Sequence, residues 1–302
     1  MSVHFIEKGG KLVFTIGIDV GGTKIKFGLF DQQNHIVKVE LIKTPETAVL
    51  ETMIKIINFM AHEVEIKGIG IATAGIIDVE KGVIMSAANI PAFVNIPLKQ
   101  SLEMEFNVPV MIANDANSAA LAEGYEGVAK KVKNFISLSI GTGIGGGIIQ
   151  DNKLIHGKSG YGGEFGHMVI VHRGRTCRCG REGCWETYAS GRAIEGIIQE
   201  TPALAAKKME PKDLFLNYDK NEICKKIVDT FLDYLSVGIL NLQYTIDPEM
   251  IVVGGGVIDS SEHWWYLLQE KIKANSTIPI NIKQAQLKNN ASMIGAGYLG
   301  KR

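Results

Sequence analysis

The chain has 302 residues, 46% of them hydrophobic and 21% charged, and its 32 basic and 32 acidic side chains leave a formal net charge of zero. That is a globular composition with room for two ordinary domains, and it offers no electrostatic reason to expect nucleic acid or an anionic membrane as partner. The polar start MSVHFIEKGGKL is no secretory signal, no apolar run reaches membrane-spanning length, and four cysteines, three of them clustered, make no secreted disulfide framework, so a cytoplasmic protein is expected. Leu12 to Ile18 then predicts a buried strand that stops at Asp19 in the turn DVGGTK. Ile25, Phe27 and Leu29 alternate in a second strand, and the turn from Asp31 to Asn34 leads to a third. Apolar residues at helical spacing predict a helix over Ala48 to Val64. A buried strand over Gly68 to Ala72 follows, then a hairpin around Asp78 to Gly82, the loop SAANIPAF, a helix over Pro97 to Phe106 and a strand over Val108 to Ala113.

The pattern then restarts. Phe135 to Ile140 predicts a strand, GTGIGGG a turn, and Ile148 and Ile149 a return strand. Gly21 to Asp31 and Gly141 to Asp151 share one layout, a glycine-rich turn between two apolar strands, which suggests two halves of related architecture. A long amphipathic helix over Asn221 to Ile246, the strand of MIVVGGGVI and a short helix in ASMIGAGYLGK complete the chain. Hairpins first and alternating helices later predict mixed sheets flanked by helices.

Three glycine-rich turns end apolar strands: Asp19 with Gly21, Gly22, Thr23 and Lys24; Gly141, Thr142 and Gly143; and Gly254, Gly255 and Gly256. Without side chains such turns let backbone N–H groups approach an anion, and Asp19 adds a carboxylate suited to Mg²⁺. Each alone is equally a plain β-turn; together they favour a nucleotide, through neither the P-loop nor the dinucleotide fingerprint. At Asn114-Asp115-Ala116-Asn117 a strand gives way to a helix. Asp115 or Asn117 can cap that helix, or Asp115 can serve as a general base with Asn114 beside it on the substrate. Cys177-x-Cys179-x4-Cys184 with His167 offers three thiolates and an imidazole, a closed set suited to structural zinc. A redox pair would need CxxC, and a nucleic-acid finger would need more basic surface than Arg173, Arg175, Arg178 and Arg181 provide.

The ordered set DVGGTK, Asn114-Asp115, GTGIGGG, Glu164-Phe165-Gly166-His167, CRCGREGCWE and Gly254 to Gly256 resembles the ROK family of sugar kinases and repressors, from about Val13 onward. The resemblance implies a two-domain α/β actin-like ATPase fold of the hexokinase and Hsp70 type. Its smaller domain would take residues 1–115 with 288–302 and its larger one 116–287, with ATP and sugar in an interdomain cleft. It implies that Asp19 to Lys24 and the 141–147 turn hold the phosphates of ATP with Mg²⁺, and that Gly254 to Gly256 lie by the adenosine. Asp115 would take the proton of the sugar hydroxyl. Asn114, Glu164, His167 and Glu186 match the family's sugar contacts, with Gly75 and Asn89 as further candidates, although Ala72 to Ile76 lacks the proline or arginine some members carry there. His167 would be shared, one ring nitrogen on zinc and the other toward the sugar. A homodimer is the family expectation.

Repressor members carry a helix-turn-helix ahead of the first strand; about a dozen residues precede it here, too few for that module, which favours the enzyme over a DNA-binding protein. The intact Asp115 and complete glycine turns favour it over a non-catalytic sugar-sensing regulator. The acceptor implied is the 6-hydroxyl of a hexopyranose. The loop ANIPAF is similar to that of members acting on β-glucosides such as cellobiose or on N-acetylmannosamine, with glucose a further candidate. Trp264, Trp265 and Tyr266 read as core or contact residues, and Cys224 as a buried structural thiol.

Overall fold

The computed structural model describes residues 13–87 and 90–301. In chain order these form β1 (Val13–Val20), β2 (Lys24–Phe30), β3 (Ile36–Lys43), α1 (Val49–Met60), β4 (Glu65–Thr73), β5 (Ile76–Asp78), β6 (Val83–Ser86), α2 (Leu98–Phe106), β7 (Val110–Asn114) and α3 (Asp115–Tyr125). Then come β8 (Phe135–Ile140), β9 (Ile144–Gln150), β10 (Lys153–Leu154), α4 (Glu186–Ala189), α5 (Gly191–Glu200), α6 (Pro202–Ala205), α7 (Pro211–Leu216), α8 (Glu222–Ile246), β11 (Met250–Gly254), α9 (Trp265–Asn275), β12 (Ile282–Gln284) and α10 (Ala291–Leu299).

The chain divides into two compact units. One holds the residues up to Ala122 with 156–162 and those from Asn290 onward; the other holds 123–155 and 163–289. Each is built on a five-stranded mixed sheet, ordered β3-β2-β1-β4-β7 in the first and β10-β9-β8-β11-β12 in the second. In both, the hairpin strands pair antiparallel and the later two are parallel. The repeat seen in the glycine turns is therefore a repeat of whole sheet topology.

Burial follows the sequence pattern. The central strand β1 is buried at nearly every residue, whereas β3 at the edge is largely exposed. In α1, Val49, Met53, Ile57 and Met60 form the buried stripe. The helix ends at Met60, short of the expected Val64: the Ala61 N–H closes on Ile57 O, and Val64 N bonds Ala61 O in the turn into β4. Asn221 caps α8 by accepting from Ile223 N and Cys224 N, and the helix buries Cys224, Phe231, Leu235 and Ile239 on one face. Trp264 is fully buried in the same core, with its Nε1–H on Ser260 Oγ at 3.2 Å, while Tyr266 is exposed. Those aromatics are thus packing residues at one end and surface at the other.

Gly255 joins β11 to the turn that follows with φ of 89°, and a Cβ there would strike the backbone of Ile140 at the end of β8. Both facts require glycine, and they press the third glycine turn against the second. Gly255→Ala is expected to cost on the order of 2–4 kcal/mol, combining left-handed strain with a backbone collision. Thermal unfolding checks this; an unchanged Tm contradicts it.

Candidate functional site

In the first unit the site is made at the carboxyl ends of adjacent parallel strands, where open α/β sheets place ligands. Asp19 of β1 stands beside Ala72 of β4, and Ala72 beside Ala113 of β7. Asp115 follows two residues later as the first residue of α3. Both carboxylates are half-buried. Burial pushes the Asp19 carboxyl up to about 6, with the Asp115 charge adding to it and Lys26 pulling it back. Burial likewise raises the Asp115 carboxyl, opposed by the Ala116 N–H that donates to its Oδ1 at 2.8 Å. Two acids at the carboxyl ends of β1 and β7, both raised by burial, form a pair that a cation would relieve.

The turn after Asp19 is tight, with Gly21 N on Lys24 O at 3.0 Å and Thr44 Oγ1 donating to Gly21 O at 2.6 Å, and it leaves Gly22, Thr23 and Lys24 exposed. Asn114 Oδ1 accepts from Ala116 N at 2.9 Å and Asn117 N at 3.3 Å, while its Nδ2 points to Gly75 O at 3.4 Å. The cap of α3 is therefore Asn114, where the sequence pattern suggested Asp115 or Asn117. Asn117 lies buried one turn in, so its backbone N–H is the group being capped. Gly75 sits beside this corner through its carbonyl; Asn89 lies outside the described residues.

The sign of the Asp19 shift makes a prediction. Its folded pKa of about 6 exceeds the ordinary 3.8, so the native state keeps a proton that the unfolded chain releases between those values. Stability is full below that window and falls as pH rises through it, by up to about 3 kcal/mol. Urea unfolding without added divalent cation should show this loss for the unmodified chain and a smaller one for Asp19→Asn, in which only the raised Asp115 contributes. Equal pH dependence in both would contradict it.

In the second unit, His167 closes the short turn Phe165–His167, and the loop that follows folds back so that Cys177 N meets Arg181 O at 2.7 Å. The donor atoms of His167, Cys177, Cys179 and Cys184 lie within 4.8 Å of one another. Cys179 Sγ is 3.6 Å from Cys184 Sγ, and Cys177 Sγ is 3.8 Å from His167 Nδ1. Tetrahedral zinc with bonds of ~2.0–2.3 Å needs edges of about 3.5–3.8 Å, so the set fits that ion. Nδ1 faces the thiols, which turns Nε2 outward, 4.0 Å from Glu164 Oε2. Glu186, opening α4, accepts from Cys177 Sγ at 3.2 Å with Oε1. Its Oε2 lies 2.5 Å from where a Cβ on Gly143 would sit, so the carboxylate rests against the second glycine turn. Glu164, His167 and Glu186 are thus one polar cluster beside three cysteines that, with His167, could hold a metal.

The 141–143 turn closes with Gly141 N on Gly143 O at 3.0 Å, and Gly141 O accepts from Gly191 N of α5 at 2.7 Å. Beside it is a cavity of about 630 Å³, walled by Gly141, Thr142, Gly256, Pro211, Phe215 and Ser260 among others. That volume lies within the range of cofactor sites. Gly256 reaches this wall, whereas Gly254 ends β11 and Gly255 packs on Ile140. Pro211, Lys212 and Phe215 were not foreseen as site residues. Their only signal is the capping box of Glu210 and Asp213, which marks a helix start and says nothing of a ligand.

The ROK family profile matches residues 15–302. A glucokinase of Streptomyces coelicolor is 32% identical over 309 residues, covering 95% of this chain and 97% of its own. Of solved structures, the ROK hexokinase from Thermus thermophilus superposes with a TM-score of 0.85 at 32% identity, covering 95% of this chain and 98% of that one. A ROK family glucokinase from Streptomyces griseus, in complex with glucose and AMPPNP, superposes with a TM-score of 0.78 at 29% identity, covering 95% and 99%. The actin-like ATPase fold expected from the motifs is the fold of the chain. Among the described residues no helix is long and apolar enough to cross a membrane.

Proposed function

This chain belongs to the ROK family, and from that premise we propose that it is an ATP-dependent sugar kinase that moves the γ-phosphoryl group to the 6-hydroxyl of a hexopyranose. The observation that carries the reading is Asp115: a half-buried carboxylate at a strand end, anchored by one backbone N–H, its proton affinity raised by burial. Such a group accepts a hydroxyl proton more readily than a solvated aspartate does. In the proposed step the 6-oxygen forms its bond to the γ-phosphorus as the bond to the bridging oxygen breaks. ADP leaves with that electron pair, and the hydroxyl proton passes to Asp115 Oδ. Little further covalent help is needed in phosphoryl transfer.

Asp19 and the 21–24 and 141–143 turns would hold the phosphates, and the cavity beside Gly256 would take the nucleoside. Mg²⁺ at Asp19 would supply charge neutralisation, and relief of the raised Asp19 carboxyl supports that placement. Zinc held by His167, Cys177, Cys179 and Cys184 would supply rigidity, keeping His167 Nε2 and Glu186 aimed at sugar hydroxyls. Asn114 would bear on the sugar through its Nδ2 while its Oδ1 caps α3.

The acceptors placed first are a β-glucoside of the cellobiose type and N-acetylmannosamine, on the loop ANIPAF, with glucose supported by the glucokinase relatives. A coupled ADP-release assay across these sugars, an aryl β-glucoside and fructose tests the reading. Strong turnover on one of the first three supports it. No ADP with any sugar, from folded and metal-loaded protein, would favour a non-catalytic sugar sensor of the same family.

A further inference from the structure

We infer that a second, smaller cavity in the second unit, sharing Thr142 with the nucleotide-sized one, is a site for a small phosphate-bearing anion. It measures about 250 Å³, and its walls include Thr142, Arg175, Arg178, Arg192 and Gly196. Thr142 is the one wall residue it has in common with the larger cavity. The volume falls below the ~300–1,000 Å³ typical of drug-sized ligands, which suits a compact anion and not a nucleotide.

Three arginines line it from two separate segments, Arg175 and Arg178 from the cysteine loop and Arg192 from the first turn of α5. Planar, always-charged guanidinium is the side chain best matched to phosphate oxygens. Arg175 is already fixed, its Nη1 donating to Thr187 O at 2.9 Å and its guanidinium carbon 5.0 Å from the Tyr188 ring centre. Two glutamates line it as well, Glu186 and Glu200, so the arginines outnumber the carboxylates three to two. Glu186 faces the histidine and cysteines, its Oε1 3.2 Å from Cys177 Sγ and 3.8 Å from His167 Nδ1. Glu200 ends α5, two turns beyond Arg192, or roughly 12 Å along the axis.

The floor points the same way. Gly196 lies inside α5, where glycine costs ~1 kcal/mol against alanine. A Cβ there would meet nothing within 4 Å, so no packing demands its absence. The bare position leaves backbone, not a methyl, facing the space. The ligand class is therefore a phosphate dianion on a small carrier, with two possible sources: a condensed inorganic phosphate or a phosphorylated sugar. This goes beyond the kinase reading and does not depend on it, since it concerns binding alone.

Calorimetric titration of the full, metal-loaded chain at low ionic strength tests it, with tripolyphosphate and glucose 6-phosphate as probes and AMPPNP as the control ligand. Arg192→Gln is the variant of choice, because Arg175 supports the loop and Arg178 lies between two metal ligands. At least one probe should bind the unmodified chain and lose about tenfold in affinity in Arg192→Gln, with partial recovery in Arg192→Lys and AMPPNP affinity held within about twofold. Loss confined to tripolyphosphate assigns the site to condensed phosphate; loss confined to glucose 6-phosphate assigns it to a sugar phosphate. No binding of either probe, affinities indifferent to the substitution, or a parallel loss for AMPPNP each overturns the inference. Because no turnover is measured, failure here is distinct from failure of the kinase proposal.

Discussion

Asp115→Asn is expected to lower kcat by about 10²- to 10⁴-fold while sugar affinity changes by less than about threefold. The amide keeps the shape of the side chain and can still accept the Ala116 N–H that holds Oδ1 at 2.8 Å. What it cannot do is take a proton. The substitution should also leave a trace that does not rely on turnover. The Asp115 charge is the second cause of the raised Asp19 carboxyl, behind burial. The Asp19 pKa should therefore fall from about 6 yet stay above 3.8 in the variant. Carbon-detected NMR titration of the aspartate carboxyls reads this directly. Near-normal kcat would remove Asp115 from its role, and an unmoved Asp19 would show that the two carboxylates do not sense each other.

Cys179→Ser should empty the metal site and weaken sugar binding by about 10- to 100-fold, the usual cost of losing an orienting shell. The chain of cause runs through His167. With the metal bound, Nδ1 is a ligand and cannot carry a proton, so the ring presents Nε2–H outward on the side of Glu164 Oε2. Without it, either tautomer is open and the ring is free to turn. Metal-free, burial pushes the Cys177 thiol up to about 12, and its proton rests on Glu186 Oε1. Loss of metal thus occupies a second carboxylate that the proposed sugar site needs. Cys179 is the exposed member of the set, so its replacement disturbs packing least. Metal content per chain by mass spectrometry and a sugar titration on the same sample check both halves. Full metal occupancy in the variant contradicts the ligand assignment; lost metal with unchanged sugar affinity contradicts the link to His167.

Much of this was legible in the sequence for local reasons. Glycine turns closing apolar strands read out the two hairpins, and their common layout foretold the common sheet order. The cysteine spacing picked out four donors that the fold does bring within 4.8 Å of one another, a set that could hold a metal. The helical region over 186–216 escaped because most of its helices are only four to six residues long, and in α5 the buried stripe of Ala193, Ile194 and Ile198 spans barely two turns. For the same reason Pro211 and Phe215 were missed as cavity walls: they are brought to Gly141 and Gly256 by tertiary packing alone. The α3 cap was misplaced because Asn114, Asp115 and Asn117 are all competent caps by type, and only the start of the helix turn decides among them.

The central claim is that a phosphoryl group passes from ATP to a sugar. Phosphorus NMR of a reaction containing Mg·ATP, the folded metal-loaded chain and, in turn, cellobiose, N-acetylmannosamine and glucose tests it most directly. The account predicts a sugar 6-phosphate resonance, coupled to the C6 protons, growing in step with ADP for at least one acceptor. ATP left intact with all three, or split to inorganic phosphate with no sugar ester formed, would contradict it.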